Sequence, residues 1–403
     1  MPPVASTPHG SAPAWRREPY RLLFPLGAAL GVLAVLPFPL RGAGGGSLAL
    51  FHSVAQILGF LTCFVVGFLF TFIPRRTNTP PPDAWELAVA VTVPPAAVAS
   101  AWVNAGQTPY LLWLGLVAVA IVFTVTRMRA PAAGGRVPAV LVWVPLSLAA
   151  GALGAALAAA APFLAGWGAP RSWVIGRGLL VQGLVAGLVL GVGGLLVPQL
   201  TRGEAPGEEV VPARRRRVMA AHAAAAAVFF ASFPLEVLVE TRLGIAVRAG
   251  VATAVLVGSA RAHRPPTLPG LHRWLVWLGA WLVPLGFGIA ALFPRHRAAA
   301  LHVVFVGGFS QIALAVATHV ALSHGGRAER LSASPAPMRL MAVLLAAAFG
   351  ARIAAGLDLR HVATWLSWAG LAFAGAVGAW AVGVLPSLVG RPEPSRARVD
   401  PGA

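Results

Sequence analysis

Cysteine, lysine and charged residues are scarce in this sequence. Its 403 residues contain a single cysteine, Cys63, which excludes an internal disulfide and any metal site built on two thiolates. Charged residues make up 11% of the chain and hydrophobic residues 58%, a composition far outside the range of soluble globular proteins. Lysine is absent, and together with the abundance of alanine, glycine, proline and arginine this indicates a GC-rich bacterial genome.

Long hydrophobic runs dominate what is present. A helix of about 18 or more mainly apolar residues can cross the ~30 Å hydrocarbon core of a bilayer. Twelve such runs predict an all-α integral membrane protein with a transmembrane domain at residues 20–387 and tails at 1–19 and 388–403. The longest connection, residues 201–217, is too short for a soluble domain. The predicted spans 1 to 12 are residues 20–40, 48–73, 85–105, 109–126, 138–162, 174–200, 217–239, 243–260, 273–293, 299–322, 338–357 and 362–387.

The net charge of +19 comes from arginines that lie between the spans. No basic helix or aromatic–basic module is present, so we exclude a nucleic-acid partner and expect membrane lipid around the spans. Of the 31 arginines, 22 lie on the side of the N-terminus and 9 on the opposite side. The positive-inside rule therefore predicts a multi-pass protein of the bacterial cytoplasmic (inner) membrane with both termini in the cytoplasm. The first run lacks a small-residue cleavage site, so we expect it to remain as a span.

A period near 126 residues relates spans 2, 6 and 10. These spans are followed by Arg75, Arg202 and Arg327, at intervals of 127 and 125 residues. Gln56 in span 2 and Gln182 in span 6 are 126 residues apart. The pattern predicts three pseudo-repeats of four spans each. Spans 2, 6 and 10 would run in the same direction, and their glycines are typical of helices packed inside a bundle.

Polar and small residues lie on one face of span 2. At 100° per residue, that face carries His52, Gln56, Gly59, Cys63 and Gly67. The remaining residues of the span are mostly phenylalanine, leucine, isoleucine and valine, which suit lipid or neighbouring helices. We expect the polar face to point into the protein interior.

Two of the ten histidines lie inside predicted spans. His52 in span 2 and His302 in span 10 are roughly 3–5 residues from the outer edge, about 5–8 Å deep. An ionisable side chain at such a position usually marks a site or a buried pair. Two imidazoles at one depth are what a six-coordinate haem needs. The alternative is that each histidine is interfacial and hydrogen-bonded to a neighbouring backbone, as expected of the histidines near loops.

Arginines and glutamates near the outer ends of other spans are weaker candidates. Arg177, Arg248 and Arg352 are suited to haem propionates because guanidinium binds carboxylates in a planar fork. Snorkelling towards the headgroups explains the same positions. Glu236 and Glu240 follow Pro234 and are expected to be solvated loop carboxylates, with proton movement or cation binding as the alternative.

Two blocks resemble the NnrS family of twelve-span, haem- and copper-containing bacterial membrane proteins linked to nitric oxide stress. One block runs from residues 51–60 to 67–74, and the other from residues 301–308 to 321–327. Residues 21–27 and 193–201 fit the family more loosely. The arrangement also resembles the catalytic subunit of haem–copper oxidases, where spans 2 and 10 carry the low-spin haem ligands; this second likeness is architectural.

The resemblance implies a b-type haem whose iron is bound by His52 and His302, and the region of Arg352 resembles the place where the oxidase fold neutralises haem propionates. We also expect Gln56, on the polar face of span 2, to be a cofactor-binding residue. The resemblance also implies redox or ligand chemistry with a diatomic gas such as nitric oxide, or with a redox partner, in a denitrification setting. Whether turnover occurs stays open.

The chain departs from the family in span 2. Where the usual pattern is His-x-His-Glu-Met, the second histidine and the glutamate are Val54 and Ala55 here. Copper is the second cofactor that the resemblance implies, but too few histidines remain near His52 to complete a copper site. In span 6, Leu195 stands where the family usually has an arginine.

Two other classes of function remain as alternatives. A secondary transporter often has twelve spans, but it also has charged residues and broken helices at the midplane and often inverted repeats. Here the span centres carry almost no charge, and the apparent repeat is parallel. A cofactor-free scaffold for other membrane enzymes is the third hypothesis, and a colourless purified protein would favour it.

Overall fold

The computed structural model describes residues 13–41, 46–205 and 212–389. Within these ranges every regular element is helical, which confirms the predicted all-α class. A short helix, Ala14–Arg17, precedes the first span, and the last helix ends at Val389. The predicted tails lie outside the described residues at positions 1–12 and 390–403, and nothing in the structure tests the proposed domain limits.

Twelve helices in the described residues are long and apolar enough to cross a membrane, as predicted. We number these observed helices as spans 1 to 12 in chain order. Their bounds are Tyr20–Leu40, Leu48–Thr77, Ala84–Trp102, Thr108–Arg129, Ala139–Phe163, Gly168–Arg202, Ala213–Leu238, Thr241–Gly258, Leu271–Leu292, Pro294–His324, Ala336–Leu357 and Leu359–Val389.

Several spans extend beyond the predicted hydrophobic runs. Span 2 continues through Pro74 and ends at Asn78, whose left-handed backbone (φ 53°) lets its N–H reach the carbonyl of Pro74. Span 6 likewise continues past Pro198 and ends before Gly203, at φ 72°. Proline near the end of a run therefore does not terminate these helices, because the left-handed residue one turn later does.

Spans 2, 6 and 10 form the interior of the bundle. In their most apolar segments 83%, 78% and 67% of the residues are buried, against at most 56% in any other span. The other spans surround them, and span 12 packs against spans 1 and 10. Because span 12 returns to span 1, the spans form a closed ring around the three interior helices. The predicted interior position of these three spans is confirmed.

Each interior span contains a π-helical segment at a matching position. The segments are Ala55–Leu61, Leu179–Gly183 and Val303–Ser310, so they begin 124 residues apart in both intervals. Wider turns leave carbonyl groups without their usual donors. The hydroxyl of Thr62 donates to the carbonyl of Ile57 at 2.7 Å, and the hydroxyl of Ser310 donates to that of Phe305 at 2.9 Å.

A second feature repeats with the same interval. Spans 2, 6 and 10, with one residue each from spans 1 and 9, line a central cavity of about 110 Å³, and fifteen of its lining residues form five layers of three residues spaced 124 apart. Such layers require a pseudo-threefold axis through the cavity. They give structural support to the predicted repeat of four spans and adjust its period to 124 residues. The layers are Leu61, Val185 and Phe309; Phe64, Leu188 and Ile312; Val65, Val189 and Ala313; Phe68, Val192 and Val316; and Leu69, Gly193 and Ala317.

Candidate functional site

A cavity of about 350 Å³ lies among spans 1, 2, 6, 10, 11 and 12. We call it the histidine cavity. This size falls within the range of roughly 300–1,000 Å³ found for cofactor and ligand pockets. Most of its walls are apolar, with three phenylalanines, Phe38, Phe305 and Phe373. All four site residues predicted from the sequence line it, and Arg177 is a fifth polar lining residue. The four are His52, Gln56, His302 and Arg352.

The two histidines have matching hydrogen bonds. His52 Nδ1 lies 3.1 Å from the carbonyl oxygen of Ala34, and His302 Nδ1 lies 2.7 Å from that of Ala298. Because a carbonyl only accepts, each Nδ1 carries the proton and each Nε2 keeps a free lone pair. Neither Nε2 has a hydrogen-bond partner among the described residues. Metal-binding histidines commonly show this arrangement.

Local structure orients both imidazole rings. His302 bonds to a carbonyl one turn earlier on its own helix, whereas His52 bonds to a carbonyl in the last turn of the helix Tyr20–Val35. The ring of Phe38 meets His52 edge-on at 5.1 Å between centroids, and Phe305 meets His302 at 5.6 Å. The π-helical segments of spans 2 and 10 begin within three residues after these histidines, and such segments occur frequently at functional sites.

Two arginines make the histidine cavity electropositive. Arg177 Nη2 donates to the hydroxyl of Ser53 at 3.0 Å, and its guanidinium lies 5.5 Å from the ring of Trp173. Arg352 is half-buried and has neither a hydrogen bond nor an ion pair within the described ranges. None of the described residues that line the cavity is a carboxylate. The charge of the two guanidinium groups therefore suits an anionic ligand, carboxylates in particular.

Gln56 lies on span 2 and contacts span 1. Its Nε2 donates to the carbonyl of Gly31 at 3.2 Å, which ties span 2 to span 1. Its carboxamide oxygen has no partner in the part of the chain that the structure describes. Gln56 thus adds one acceptor to a cavity whose other polar side chains are the two histidines, the two arginines, Ser53 and Ser310.

A haem b fits this set of residues. The macrocycle is apolar and flat, its iron takes two axial nitrogens, and its propionates are carboxylates. The histidine cavity offers aromatic walls, two imidazoles with free Nε2 atoms on different helices, and two arginines that have no acidic partner in the described part of the chain. In the described residues no three histidines, cysteines, aspartates or glutamates gather as a further metal site. Copper stays a prediction that nothing here tests.

Arg248 and Glu236 lie elsewhere. The prediction of Glu236 as a solvated loop carboxylate is wrong, because span 7 continues past Pro234 and Glu236 is 6% exposed. Arg248 is fully buried, lies 3.6 Å from the ring of Phe233 and does not line the histidine cavity. Its side chain is bonded to Glu236 at 2.7 Å, Gln182 at 2.9 Å and Ser232 at 3.2 Å, and Glu236 also pairs with Arg297. We call these five residues the ion-pair network.

Glu240 and the histidines at the far end of span 10 also lie outside the site. The carboxylate of Glu240 accepts from the N–H groups of Arg242 and Leu243 at the start of span 8. These bonds hold the pKa of Glu240 below its usual value. His319 lies 3.2 Å from His272, and His324 Nε2 lies 2.7 Å from Arg75. None of these residues lines the histidine cavity.

Comparison with known proteins identifies the family. The family model described as NnrS protein matches residues 14–391, nearly the whole chain. No curated protein matches the sequence. The matched region includes all twelve spans and every residue of the histidine cavity. The chain therefore belongs to the NnrS family, and it is a multi-pass membrane protein of the nitric oxide response.

Proposed function

We propose that this chain is a haem protein of the bacterial cytoplasmic membrane whose one b-type haem lies in the histidine cavity. The observation that carries the proposal is the pair of half-buried imidazoles, each with Nδ1 donating to a carbonyl and Nε2 free, on two sides of one cavity. A bound haem supplies an iron that exchanges single electrons or takes a diatomic ligand. The proposed role is redox or gas-ligand chemistry with nitric oxide or a redox partner.

The residues of the chain would have separate tasks in this site. Nε2 of His52 and of His302 would hold the iron, since their Nδ1 bonds fix the tautomer and the ring orientation. Arg177 and Arg352 would bind the propionates. The phenylalanine walls would exclude water from the iron. With both imidazoles holding the iron the site would be suited to electron transfer, and gas binding would require His52 or His302 to release it.

The orientation of the cavity limits its partners. His52 and His302 lie near the N-terminal ends of spans 2 and 10, and the arginine-rich connections follow the C-terminal ends. The positive-inside rule assigns those connections to the cytoplasm. On this proposal both termini are cytoplasmic, and the histidine cavity lies near the outer face of the membrane, where a gas or a redox partner would reach it.

Optical spectroscopy of purified variants tests the haem ligands. We expect the wild-type protein to show the reduced spectrum of a six-coordinate b-type haem, and His52→Ala and His302→Ala to lose haem or its six-coordinate spectrum. His263→Ala is the matched control, because His263 is exposed and outside the cavity. Unchanged haem content and spectra in both cavity variants would remove the ligand assignment. A colourless wild-type protein from a haem-sufficient host would favour a transporter or a scaffold.

A further inference from the structure

The central cavity between spans 2, 6 and 10 has no role in the proposed haem site. It measures about 110 Å³, and all of its lining residues are apolar: phenylalanine, leucine, valine, isoleucine, alanine and glycine. A water molecule needs two to four polar partners to be stable in a cavity. An apolar cavity of about 150 Å³ stays dry and binds benzene or xenon. The central cavity is thus suited to small uncharged molecules and poorly suited to water or ions.

The central cavity and the histidine cavity meet at one side chain. Leu61 lines both of them, and it is the last residue of the π-helical segment Ala55–Leu61. A third, smaller cavity towards spans 4 and 5 also includes Leu61, together with Val65 and Val185 of the central cavity. Rotation of the Leu61 side chain would therefore open or close the barrier between the central cavity and the histidine cavity.

We propose that the central cavity is a binding site for small apolar gas molecules, and that Leu61 is the partition through which a diatomic gas passes to the histidine cavity. The binding site follows from the shape and chemistry of the cavity alone. The passage to the histidines rests on the proposed function. A gas that dissolves in hydrocarbon is compatible with such an apolar lining, so the central cavity would concentrate the gas beside the histidine cavity without polar contacts.

Glycine at position 193 provides a substitution that fills the cavity. A Cβ atom there would meet its nearest neighbours, Val197 and Val189, at 3.7 and 3.9 Å, which are ordinary contact distances. Gly193→Leu therefore places its side chain in the cavity without displacing backbone. Gly378 is exposed on span 12 and has no atom within 4 Å of an added Cβ, so Gly378→Leu is the matched control. Ala313→Leu is a second filling variant should Gly193→Leu fail to fold.

Xenon binding to crystals of the full chain tests the site without requiring haem. We expect an anomalous xenon peak between spans 2, 6 and 10 in the wild type and in Gly378→Leu, and its loss in Gly193→Leu or Ala313→Leu. No xenon in the wild type, or a lipid or detergent acyl chain in the cavity, would overturn the proposal. A haem-free protein that still binds xenon would contradict the proposed function and leave the gas site standing.

Photolysis of carbon monoxide from the haem-loaded protein tests the passage. The wider side chain in Leu61→Phe should change the rate of carbon monoxide rebinding while the xenon peak remains. Gly193→Leu should also change that rate, and Gly378→Leu should not. Identical rebinding in the wild type, Leu61→Phe and Gly193→Leu would show that the two cavities are not connected.

Discussion

The polar residues of the histidine cavity would affect a bound haem in different ways: the imidazoles would hold it, and Arg352 would change its redox potential. In the proposed site the imidazoles would act through their free Nε2 atoms, whereas Arg352, which has no ion-pair partner among the described residues, would act through its positive charge beside the haem. A positive charge beside a haem destabilises the oxidised, more positive state. Arg352 should therefore raise the midpoint potential of a bound haem.

Replacing Arg352 by glutamine tests this effect. We expect the midpoint potential to fall by roughly 40 mV, the equivalent of about 1 kcal/mol for a half-buried charge and a one-electron couple. Arg352→Lys keeps the charge and should stay close to the wild-type potential. Potentiometric titration of the haem spectrum measures the change. An equal fall of the potential in both variants would show that Arg352 acts through packing. No fall in either variant would show that Arg352 does not influence the haem.

Sequence reasoning found the residues of this cavity but not their contacts. His52, Gln56, His302 and Arg352 could be selected because each is a polar group inside a hydrophobic run. The bond from His52 to Ala34 could not be predicted, since it depends on how span 1 packs against span 2. The bond from Arg177 to Ser53 could not be predicted for the same reason, since it depends on how span 6 packs against span 2.

For the helices too, features set by the local sequence could be predicted, and features set by tertiary packing could not. Hydrophobic runs predicted the number and order of the spans, because a bilayer crossing leaves a run of about 18 or more residues in the sequence. Span starts were less accurate: Gly168 and Pro294 precede the predicted starts at 174 and 299. Arginines interrupted those runs in the sequence, yet the helices include them. The π-helical segments have no hydrophobic signature and were not predicted.

The hydroxyl that follows a π-helical segment should stabilise it. Thr62 accepts a bond from Trp113 Nε1 at 3.0 Å in addition to donating to Ile57, so Thr62→Val leaves the indole N–H unpaired and removes one of the two donors to the carbonyl of Ile57. We expect the free energy of unfolding to fall by about 1–3 kcal/mol. In the control Thr253→Val, an exposed threonine bonds only its own helix at Ala249, and the loss should be smaller.

Thermal unfolding of the two threonine variants in the same detergent gives the comparison. Equal stability of Thr62→Val and Thr253→Val would show that the hydroxyl does not support the wide turn. In span 6 the position equivalent to Thr62 and Ser310 is occupied by Ala186, so a π-helical segment also forms where no hydroxyl follows it.

At the scale of the whole molecule, the histidine cavity and the ion-pair network lie in different gaps of one pseudo-threefold arrangement of helices. The histidine cavity lies where spans 1 and 2 meet spans 10, 11 and 12, with span 6 closing one side. The ion-pair network lies where spans 6, 7 and 8 meet span 10. A repeated scaffold thus provides several gaps beside the interior helices, and each gap can hold different chemistry. The network connects the second repeat to the third.

Replacing Arg248 should lower the stability of the protein without changing its haem content. Arg248→Met removes the buried cation that bonds Gln182 and Ser232 and leaves Glu236 with Arg297 as its remaining partner, so it should lower the free energy of unfolding by at most about 3–5 kcal/mol. Arg242→Met is the control, because Arg242 is exposed on the same helix. The haem content per folded chain should stay at the wild-type level, because no residue of the network lines the histidine cavity.

Unfolding in detergent and the haem-to-protein ratio, measured on the same samples, decide between two kinds of coupling. If the network only joins the second and third repeats, Arg248→Met unfolds more easily and its folded fraction keeps a normal spectrum. Adding Glu236→Gln should then not restore the lost stability, because it also breaks the remaining pair of Glu236 with Arg297. A folded variant with reduced haem content would instead mean that span 6, which carries both Gln182 and Arg177, transmits the change to the histidine cavity.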